Sequence, residues 1–516
     1  MFTSPGATPV PRSRPSAALI LLAAFAGLAA GSAGAAPSVA PASALQPCRV
    51  DGVPTEVLCG GLSRPLDPAR PDGVKIDIRY VVVPALARNK LPDPVLLLAG
   101  GPGQSATALT ASVLPRLSRL NYRRDLVFID QRGTGRSAPL SCPDNSDRSL
   151  EELIKPGAKV RLLAQCRDTL KQLPYGDLRF FTTTIAMQDM DAVRAALGVD
   201  QWNLVGASYG TRAALEYQRQ FPARVRRTVI DGVAPPDMVL PVSFSQDAQR
   251  AFDLVFESCA KSPDCNARYP ALRTDWQSLV KSLPRKVSFT HPMTGRPEEV
   301  SLTRETLLGL VRPPLYSPPL AAALPAALHE AALGRFDALG GLAGQLGGGS
   351  RAMRIFEGMH FSVVCAEDAP RIATSTEAPG ADFGTLDRDL YTSVCSGWPR
   401  GEVPAAFYAI PPAKSPVLLT SGGSDPATPQ RHAQRVQQAL GANARHVVVA
   451  AAGHGVALAL PCMRDVLFRF IDAAADADAL QVDASCAKDL PRPPAYLPPT
   501  PATIAAAASA ARESDR

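Results

Sequence analysis

The segment WNLVGASYGT, residues 202–211, joins a short apolar run to a stretch whose apolar residues recur at helical spacing. We predict a strand over Trp202–Val205 and a helix over Thr211–Gln220, with the pattern G-x-S-x-G between them. A serine on so sharp a turn adopts a strained backbone, and the flanking glycines remove side chains that would clash there. Ser208 is therefore the candidate nucleophile. The alternative is a helix-entry turn with an idle serine.

A base and an acid are expected further along the chain. A serine hydroxyl is a poor nucleophile unless a base takes its proton and a third group orients that base. His454 is the last of six histidines and follows a strand predicted over His446–Ala450, although a surface-loop histidine is the alternative. Asp425, after a strand predicted over Pro416–Thr420, is the favoured acid, and Asp231, at the end of an earlier strand, is the rival.

Hydrolysis through a serine also needs N–H donors for the oxyanion of the tetrahedral intermediate. The backbone N–H of Tyr209, which follows the candidate nucleophile, is the first expected donor. The second is expected from the turn AGGPG at residues 99–103, after a short predicted strand. Because Pro102 has no N–H, Gly101 or Gly103 must donate, and we assign Gly101. A purely structural turn is the alternative.

Short apolar runs alternate with helical patterns in two parts of the chain, which predicts a mostly parallel central sheet flanked by helices. Together with the serine turn, this order predicts an α/β-hydrolase fold with a helical cap inserted late in the chain. The expected parts are a signal peptide (1–36), the first part of the core (37–240), a mostly helical cap (241–404), the second part of the core (405–490) and a Pro/Ala-rich tail (491–516).

The composition and the N-terminal residues indicate an exported globular protein. Of the 516 residues, 46% are hydrophobic and 20% are charged, and the net charge of +7 is spread without a Lys/Arg block, so no nucleic-acid partner is indicated. Arg12 and Arg14 precede an uncharged run over Pro15–Ala36 with an A-x-A pattern at 33–35, which is typical of a cleaved signal peptide. A retained membrane anchor is the alternative. We expect a secreted or periplasmic protein without stable membrane insertion.

Ten cysteines follow the predicted signal peptide and fall as five near pairs along the chain. An even number in an exported chain favours disulfides. Zinc is less favoured because no C-x-x-C pair occurs and the histidines do not cluster with the cysteines. Pairing between sequence neighbours is one of several connectivities that the sequence allows. We expect neither a metal nor a cofactor.

Three motifs resemble those of the prolyl aminopeptidase and tripeptidyl aminopeptidase family of α/β-hydrolases, namely GGPGQS at 100–105, DQRGTGRS at 130–137 and GASYGT at 206–211. The block at 416–429 resembles the exported tripeptidyl-aminopeptidase-like branch, and the resemblance spans residues 75–240 and 355–490. It implies an enzyme that acts on peptides and releases a single residue or a short peptide from their N-termini. Ala99 stands where prolyl aminopeptidases commonly carry histidine, so strict proline specificity is not implied.

An aminopeptidase must recognise a free α-ammonium group, which calls for a carboxylate near the cleft. Glu367, in the segment CAED at 365–368, lies where the chain resembles an acidic turn of this family, and it is our candidate. A solvated acidic loop is the alternative. Two other functions stay open. One is a carboxylic-ester hydrolase with the same three residues, and the other is a non-catalytic binding protein on the same fold.

Overall fold

A β-sheet forms the centre of the structure, a computed structural model that describes residues 45–145, 148–291, 294–347 and 354–499. Its strands are β1 (Gln46–Cys48), β2 (Val57–Pro65), β3 (Lys75–Val83), β4 (Val95–Leu98), β5 (Leu126–Ile129), β6 (Trp202–Ala207), β7 (Val225–Asp231), β10 (Val417–Gly422) and β11 (Ala444–Val449), while β8 (Arg285–Thr290) and β9 (Pro297–Leu302) form a separate hairpin. The order across the sheet is β1-β2-β3-β5-β4-β6-β7-β10-β11. All neighbours from β5 to β11 are parallel, whereas the β1–β2, β2–β3 and β3–β5 pairs are antiparallel. The expected mostly parallel sheet is confirmed.

The parallel strands are apolar on both faces because helices cover both faces. All four residues of β4 are buried, and they alternate between two hydrophobic clusters. Leu96 and Leu98 join one cluster, and Val95 and Leu97 join the other. This alternation follows from the two-residue period of a strand.

The α-helices of the described residues are α1 (Ala106–Val113), α2 (Ser118–Asn121), α3 (Leu150–Ile154), α4 (Ala158–Leu170), α5 (Thr183–Ala196), α6 (Tyr209–Gln220), α7 (Leu240–Lys261), α8 (Pro263–Arg268), α9 (Leu272–Lys281), α10 (Arg304–Val311), α11 (Pro318–Ala321), α12 (Leu324–Ala332), α13 (Asp337–Gly347), α14 (Glu357–Glu367), α15 (Leu386–Cys395), α16 (Gln430–Leu440), α17 (Pro461–Asp472) and α18 (Asp476–Leu480). Helices α5 and α6 pack on one face of the sheet, and α1 and α17 pack on the other.

The insertion between β7 and β10 contains helices α7 to α15. Much of it packs around a third hydrophobic cluster, in which Phe252 makes edge-to-face contact with Trp276 at a centroid distance of 4.9 Å. Helices α14 and α15 instead contribute residues to the cluster of the sheet. The hairpin β8–β9 also belongs to the insertion, and the sequence analysis did not predict it.

Disulfides join each cysteine to its sequence neighbour, in the pairs Cys48–Cys59, Cys142–Cys166, Cys259–Cys265, Cys365–Cys395 and Cys462–Cys486. In the part of the tail that the structure describes, the N–H of Tyr496 donates to the carbonyl of Ala322 and Arg492 donates to Ser424 Oγ. The expected signal peptide and residues 500–516 lie outside the described residues. Within the described ranges, no helix has the length and apolar character needed to cross a membrane.

Candidate active site

The candidate nucleophile lies on the turn between β6 and α6. Ser208 has φ = 55° and ψ = −124°, a conformation that residues with a side chain rarely adopt. Its N–H donates to the carbonyl of Asp231 at 2.9 Å, and its carbonyl accepts from the N–H and the hydroxyl of Thr211. These bonds hold the strained residue in place at the carboxyl end of the parallel strands.

Neighbouring backbone atoms lie very close to Gly206 and Gly210, the two glycines of G-x-S-x-G. A Cβ added to Gly206 would lie 2.4 Å from the carbonyl oxygen of Gly210. One added to Gly210 would lie 2.1 Å from the carbonyl oxygen of Leu98, at the end of β4. Both distances are far below a normal contact, so this turn excludes side chains at these two positions.

The structure brings His454 and Asp425 together. His454 Nδ1 lies 2.8 Å from Asp425 Oδ2 and 3.1 Å from the hydroxyl of Thr428, which itself donates to Asp425 Oδ2 at 2.9 Å. Asp425 Oδ1 accepts the N–H groups of Ala427 and Thr428 at 2.8 and 2.9 Å. The side chain of Asp425 is fully buried, and that of His454 is 18% exposed. Because the carboxylate accepts at Nδ1, the proton of neutral His454 resides there, which leaves Nε2 as the basic nitrogen.

The pKa values of this pair move in the directions that a catalytic base requires. Burial lowers the pKa of His454, but the charge of Asp425 and the hydrogen bond to it outweigh burial, so the pKa is raised above its ordinary value. Burial likewise raises the pKa of Asp425, but the charge of His454 and the hydrogen bonds that Asp425 accepts leave its pKa lowered. Asp425 therefore remains ionised at neutral pH and strengthens His454 as a base.

Asp231, the rival acid, has different partners. Its Oδ2 accepts the N–H groups of Val456 and Ala457 at 2.7 and 2.8 Å, and its Oδ1 accepts the hydroxyl of Thr420 at 2.7 Å. Burial raises the pKa of Asp231, and these three hydrogen bonds oppose the rise. The carboxylate thus anchors the loop that follows His454, whereas the imidazole itself bonds to Asp425.

The Asp231–Gly232 segment links the serine turn to the histidine. The carbonyl of Asp231 accepts the N–H of Ser208, and a Cβ added to Gly232 would lie 3.3 Å from His454 Cε1. The imidazole therefore lies beside Gly232, the residue that follows the Asp231 carbonyl to which Ser208 is bonded. A side chain larger than hydrogen at Gly232 would press against the ring.

The expected oxyanion donors lie on two neighbouring turns. A Cβ added to Gly100 would lie 3.4 Å from Ser208 Cβ, so the glycine-rich turn lies beside the candidate nucleophile. Among the residues that the structure describes, the N–H groups of Gly101, Gly103 and Tyr209 have no hydrogen-bond acceptor. Donors left without a partner beside a candidate nucleophile can serve the oxyanion of an acyl-transfer reaction.

Glu367 lies in the interior, at the end of α14. It is 1% exposed, accepts the N–H of Thr183 at 2.7 Å and pairs with Arg212 of α6 at 3.4 Å. Burial raises the pKa of Glu367 to about 7, against the opposing charge of Arg212. The solvated acidic loop is therefore wrong for this position. These contacts argue against a direct bond to a substrate's amino group, because the carboxylate instead holds α14 against the helix that follows Ser208.

Three residues of this site, Tyr316, His360 and Thr428, were not predicted from the sequence. The carbonyl of Tyr316 accepts the N–H of His454 at 2.9 Å, and the two rings meet edge to face at a centroid distance of 5.2 Å. His360 of α14 contacts the carbonyl of Pro102, and Thr428 contacts both members of the pair described above. Tyr316 and His360 belong to the insertion and approach the site only through tertiary packing, so no local pattern marks them. Thr428 lies only three residues after Asp425, so its place in the sequence could have suggested it.

The family model for the alpha/beta hydrolase fold matches residues 93–458, a span that includes both turns and His454. The chain belongs to the α/β-hydrolase family. The fold expected from the serine turn and the resemblance carried by the motifs are both confirmed.

Named relatives of this hydrolase include peptidases. It is 28% identical over 425 residues to a protein named serine protease Hip1 from Mycobacterium tuberculosis, covering 75% of this chain and 80% of that protein. It is 32% identical over 208 residues to a tripeptidyl aminopeptidase from Streptomyces lividans, covering 37% and 38%. A solved proline iminopeptidase from Mycobacterium smegmatis is 15% identical, with a TM-score of 0.36 and coverage of 80% and 97%. The chain is a serine hydrolase, and the non-catalytic alternative is set aside.

Proposed function

We propose that the protein is an exported serine peptidase that removes single residues or short peptides from the N-termini of peptides. In this proposal Ser208 is the nucleophile, His454 is the general base and Asp425 orients the imidazole. The N–H groups of Gly101 and Tyr209 form the oxyanion hole. Export is proposed from the predicted signal peptide and from the disulfides, which persist in oxidising compartments.

The proposed reaction proceeds through an acyl-enzyme. Ser208 Oγ bonds to the scissile carbonyl carbon while His454 Nε2 takes the hydroxyl proton, and the carbonyl oxygen becomes an oxyanion. When the intermediate collapses, the C–N bond breaks and His454 gives its proton to the leaving amine. Water then attacks the acyl-enzyme as His454 takes one of its protons. The ester bond breaks, Ser208 regains a proton from His454, and the N-terminal fragment leaves with a new carboxylate.

One observation carries the proposal. A serine held at φ = 55° and a histidine bonded through Nδ1 to a buried aspartate lie beside the same segment, Asp231–Gly232. The carbonyl of Asp231 accepts the N–H of Ser208, and a Cβ added to Gly232 would lie 3.3 Å from the imidazole. Serine hydrolases of this fold use this combination of residues, whereas a turn with only a structural role does not require it.

The release of N-terminal fragments requires a carboxylate that binds the substrate's ammonium group. Because the carboxylate of Glu367 is already bonded to Thr183 and Arg212, Asp387 is the next candidate. Asp387 lies at the start of α15 with a side chain 24% exposed, and its Oδ2 pairs with Arg312 at 2.9 Å. Burial raises the pKa of Tyr316, the residue whose ring meets His454 edge to face, and the charges of Asp425 and Asp387 add to that rise. We propose that Asp387, rather than Glu367, is the carboxylate that binds the substrate's ammonium group.

The test compares a free tripeptidyl amide with its N-acetylated copy. Acetylation removes the ammonium charge, so the free amide should be cleaved about 30-fold faster or more, which corresponds to about 2 kcal/mol of lost pairing. Asp387→Asn should narrow that ratio, whereas Glu367→Gln should leave it unchanged. Equal rates on the two substrates would refute the aminopeptidase and favour the ester hydrolase, which short acyl esters assayed in parallel would reveal. If only Glu367→Gln narrows the ratio, the assignment of Asp387 is wrong.

A further inference from the structure

The insertion holds the glycine-rich turn of the oxyanion hole by its backbone. The N–H of Phe356, just before α14, donates to the carbonyl of Gly103 at 2.9 Å, and an antiparallel bridge pairs Ile355 with Gln104. A Cβ added to Gly103 would lie 2.9 Å from the carbonyl oxygen of Phe356. The turn and the start of α14 are therefore in direct contact, with no room for a side chain between them.

A histidine one turn into α14 reaches the same glycine-rich turn. His360 Nδ1 lies 3.1 Å from the carbonyl oxygen of Pro102, and its Nε2 lies 2.7 Å from the hydroxyl of Tyr391 on α15. A carbonyl oxygen can only accept, so Nδ1 carries the proton and donates it to Pro102. Burial lowers the pKa of His360 and raises that of Tyr391, so the imidazole is neutral and the tyrosine hydroxyl donates to Nε2.

These bonds fix the directions of backbone N–H groups. The C=O and N–H of one trans peptide point in opposite directions. The bond from His360 to the carbonyl of Pro102 therefore sets where the N–H of Gly103 points. In the same way, the N–H of Gln104 donates to the carbonyl of Gly100 at 3.2 Å and sets where the N–H of Gly101 points. Both candidate donors of the turn are therefore held in one orientation. The N–H of Gly103 is held by a bond from the insertion, and the N–H of Gly101 is held by a bond within the turn.

We propose that the N–H of Gly103 is a further donor of the oxyanion hole beside that of Gly101, and that His360, held in one tautomer by Tyr391, is a positioning residue that orients it through the carbonyl of Pro102. This inference rests on the proposed acyl-enzyme mechanism and goes beyond it, because it makes the catalytic rate depend on a contact from the insertion. Donors act on an oxyanion most strongly when they are already oriented and need no rearrangement as charge develops. Without the His360 bond, the Pro102–Gly103 peptide loses the hydrogen bond that sets its orientation.

The experiment compares three variants and one control. His360→Leu removes the donor, and His360→Asn keeps an amide N–H near the place of Nδ1. Tyr391→Phe removes only the hydroxyl that fixes the tautomer. The matched control is His329→Leu, because His329 is a histidine of the insertion that pairs with Asp275 near the surface. Each variant is assayed for kcat and KM and for inhibition by a peptidyl aldehyde and by the corresponding peptidyl alcohol.

The two inhibitors separate positioning from general loosening. The aldehyde forms a tetrahedral adduct with the serine and places an oxygen in the oxyanion hole, whereas the alcohol binds without an adduct. We expect His360→Leu to lower kcat about 10-fold or more, with KM within about twofold of wild type. The inhibition constant of the aldehyde should rise by the same factor as kcat falls, and that of the alcohol should not change. His360→Asn should recover most of the loss, and Tyr391→Phe should show part of it.

Two results would overturn the inference. One is a kcat for folded His360→Leu equal to that of His329→Leu, and the other is a parallel rise in the inhibition constants of aldehyde and alcohol. If His360→Leu does not fold, Tyr391→Phe decides by the same criteria, because it keeps the ring and removes a single oxygen. Failure of the proposed function is distinguishable, since Ser208→Ala would then retain activity. If the enzyme cleaves only esters, the same comparison is made with a short acyl ester.

Discussion

Replacing Asp425 with asparagine keeps the shape of the side chain and removes the charge that bonds to His454 Nδ1 at 2.8 Å. When His454 becomes protonated in the transition state, it forms an ion pair with a fully buried carboxylate. With charge centres about 4 Å apart and an effective dielectric constant of about 20, that pair contributes about 4 kcal/mol. This energy corresponds to a rate factor of roughly 10³. Asparagine can also donate toward Nδ1 and so favour the wrong tautomer, which brings the expected loss in kcat to about 10³–10⁴.

The same substitution should move the pH dependence of kcat/KM. Only neutral His454 can accept the proton of Ser208, so the rate falls as the pH drops through the pKa of His454. In the wild-type enzyme that pKa is raised by Asp425, and the acidic limb should lie above the ordinary histidine value of about 6.5. In Asp425→Asn the raising charge is absent, so the limb should shift to lower pH.

The assay is a kcat/KM profile between about pH 5 and 9 on the best peptide amide, with folding checked by circular dichroism. Thr428→Val is the matched variant, since it removes the hydroxyl that contacts Nδ1 and donates to Asp425 Oδ2 but keeps the charge of the carboxylate. It should keep the limb near its wild-type position. An Asp425→Asn enzyme with a rate within about 10-fold of wild type, or with an unmoved acidic limb, would refute the assignment of Asp425.

Three further results are expected. Asp231→Asn should cost about 1–3 kcal/mol of stability, because its Oδ2 accepts two buried N–H groups, and should lower kcat less than Asp425→Asn does; the reverse ranking of the two rates would exchange their roles. Gly210→Ala should lower the thermal midpoint and the activity, because its Cβ would lie 2.1 Å from the carbonyl of Leu98, and an unchanged melting curve would contradict that close approach. Non-reducing mass spectrometry of the exported protein should find no free thiol, and ten free thiols would refute both the disulfides and the export.

Much of the core could be predicted from local pattern. The strand predicted over Trp202–Val205 lies within β6, which continues to Ala207, and the helix predicted over Thr211–Gln220 is α6, which begins two residues earlier. The hairpin β8–β9 was missed because each short strand has only two buried apolar residues among charged and polar ones, within a segment that otherwise has helical patterns. The position of β4 between β5 and β6 could not be derived either, since strand order depends on tertiary packing.

The candidate site divides in the same way. Ser208 and the turn at 99–103 are marked by glycines, because close backbone approach leaves a signature in the sequence. The choice between Asp425 and Asp231 was only a preference, because both follow strands that end at one edge of the sheet, and it took side-chain geometry to show which one bonds to the imidazole. The contact of His360 with Pro102 joins residues 258 positions apart, so no local pattern could have indicated it.

The central claim, that Ser208 is the nucleophile, is tested most directly by labelling the mature protein with a fluorophosphonate and locating the adduct by mass spectrometry. An activated serine attacks phosphorus, whereas an ordinary serine does not. We expect one adduct per chain, on the peptide that contains Ser208, and no labelling of a folded Ser208→Ala variant whose kcat falls about 10³-fold or more. An adduct on a different serine, or near-wild-type turnover by Ser208→Ala, would contradict the account.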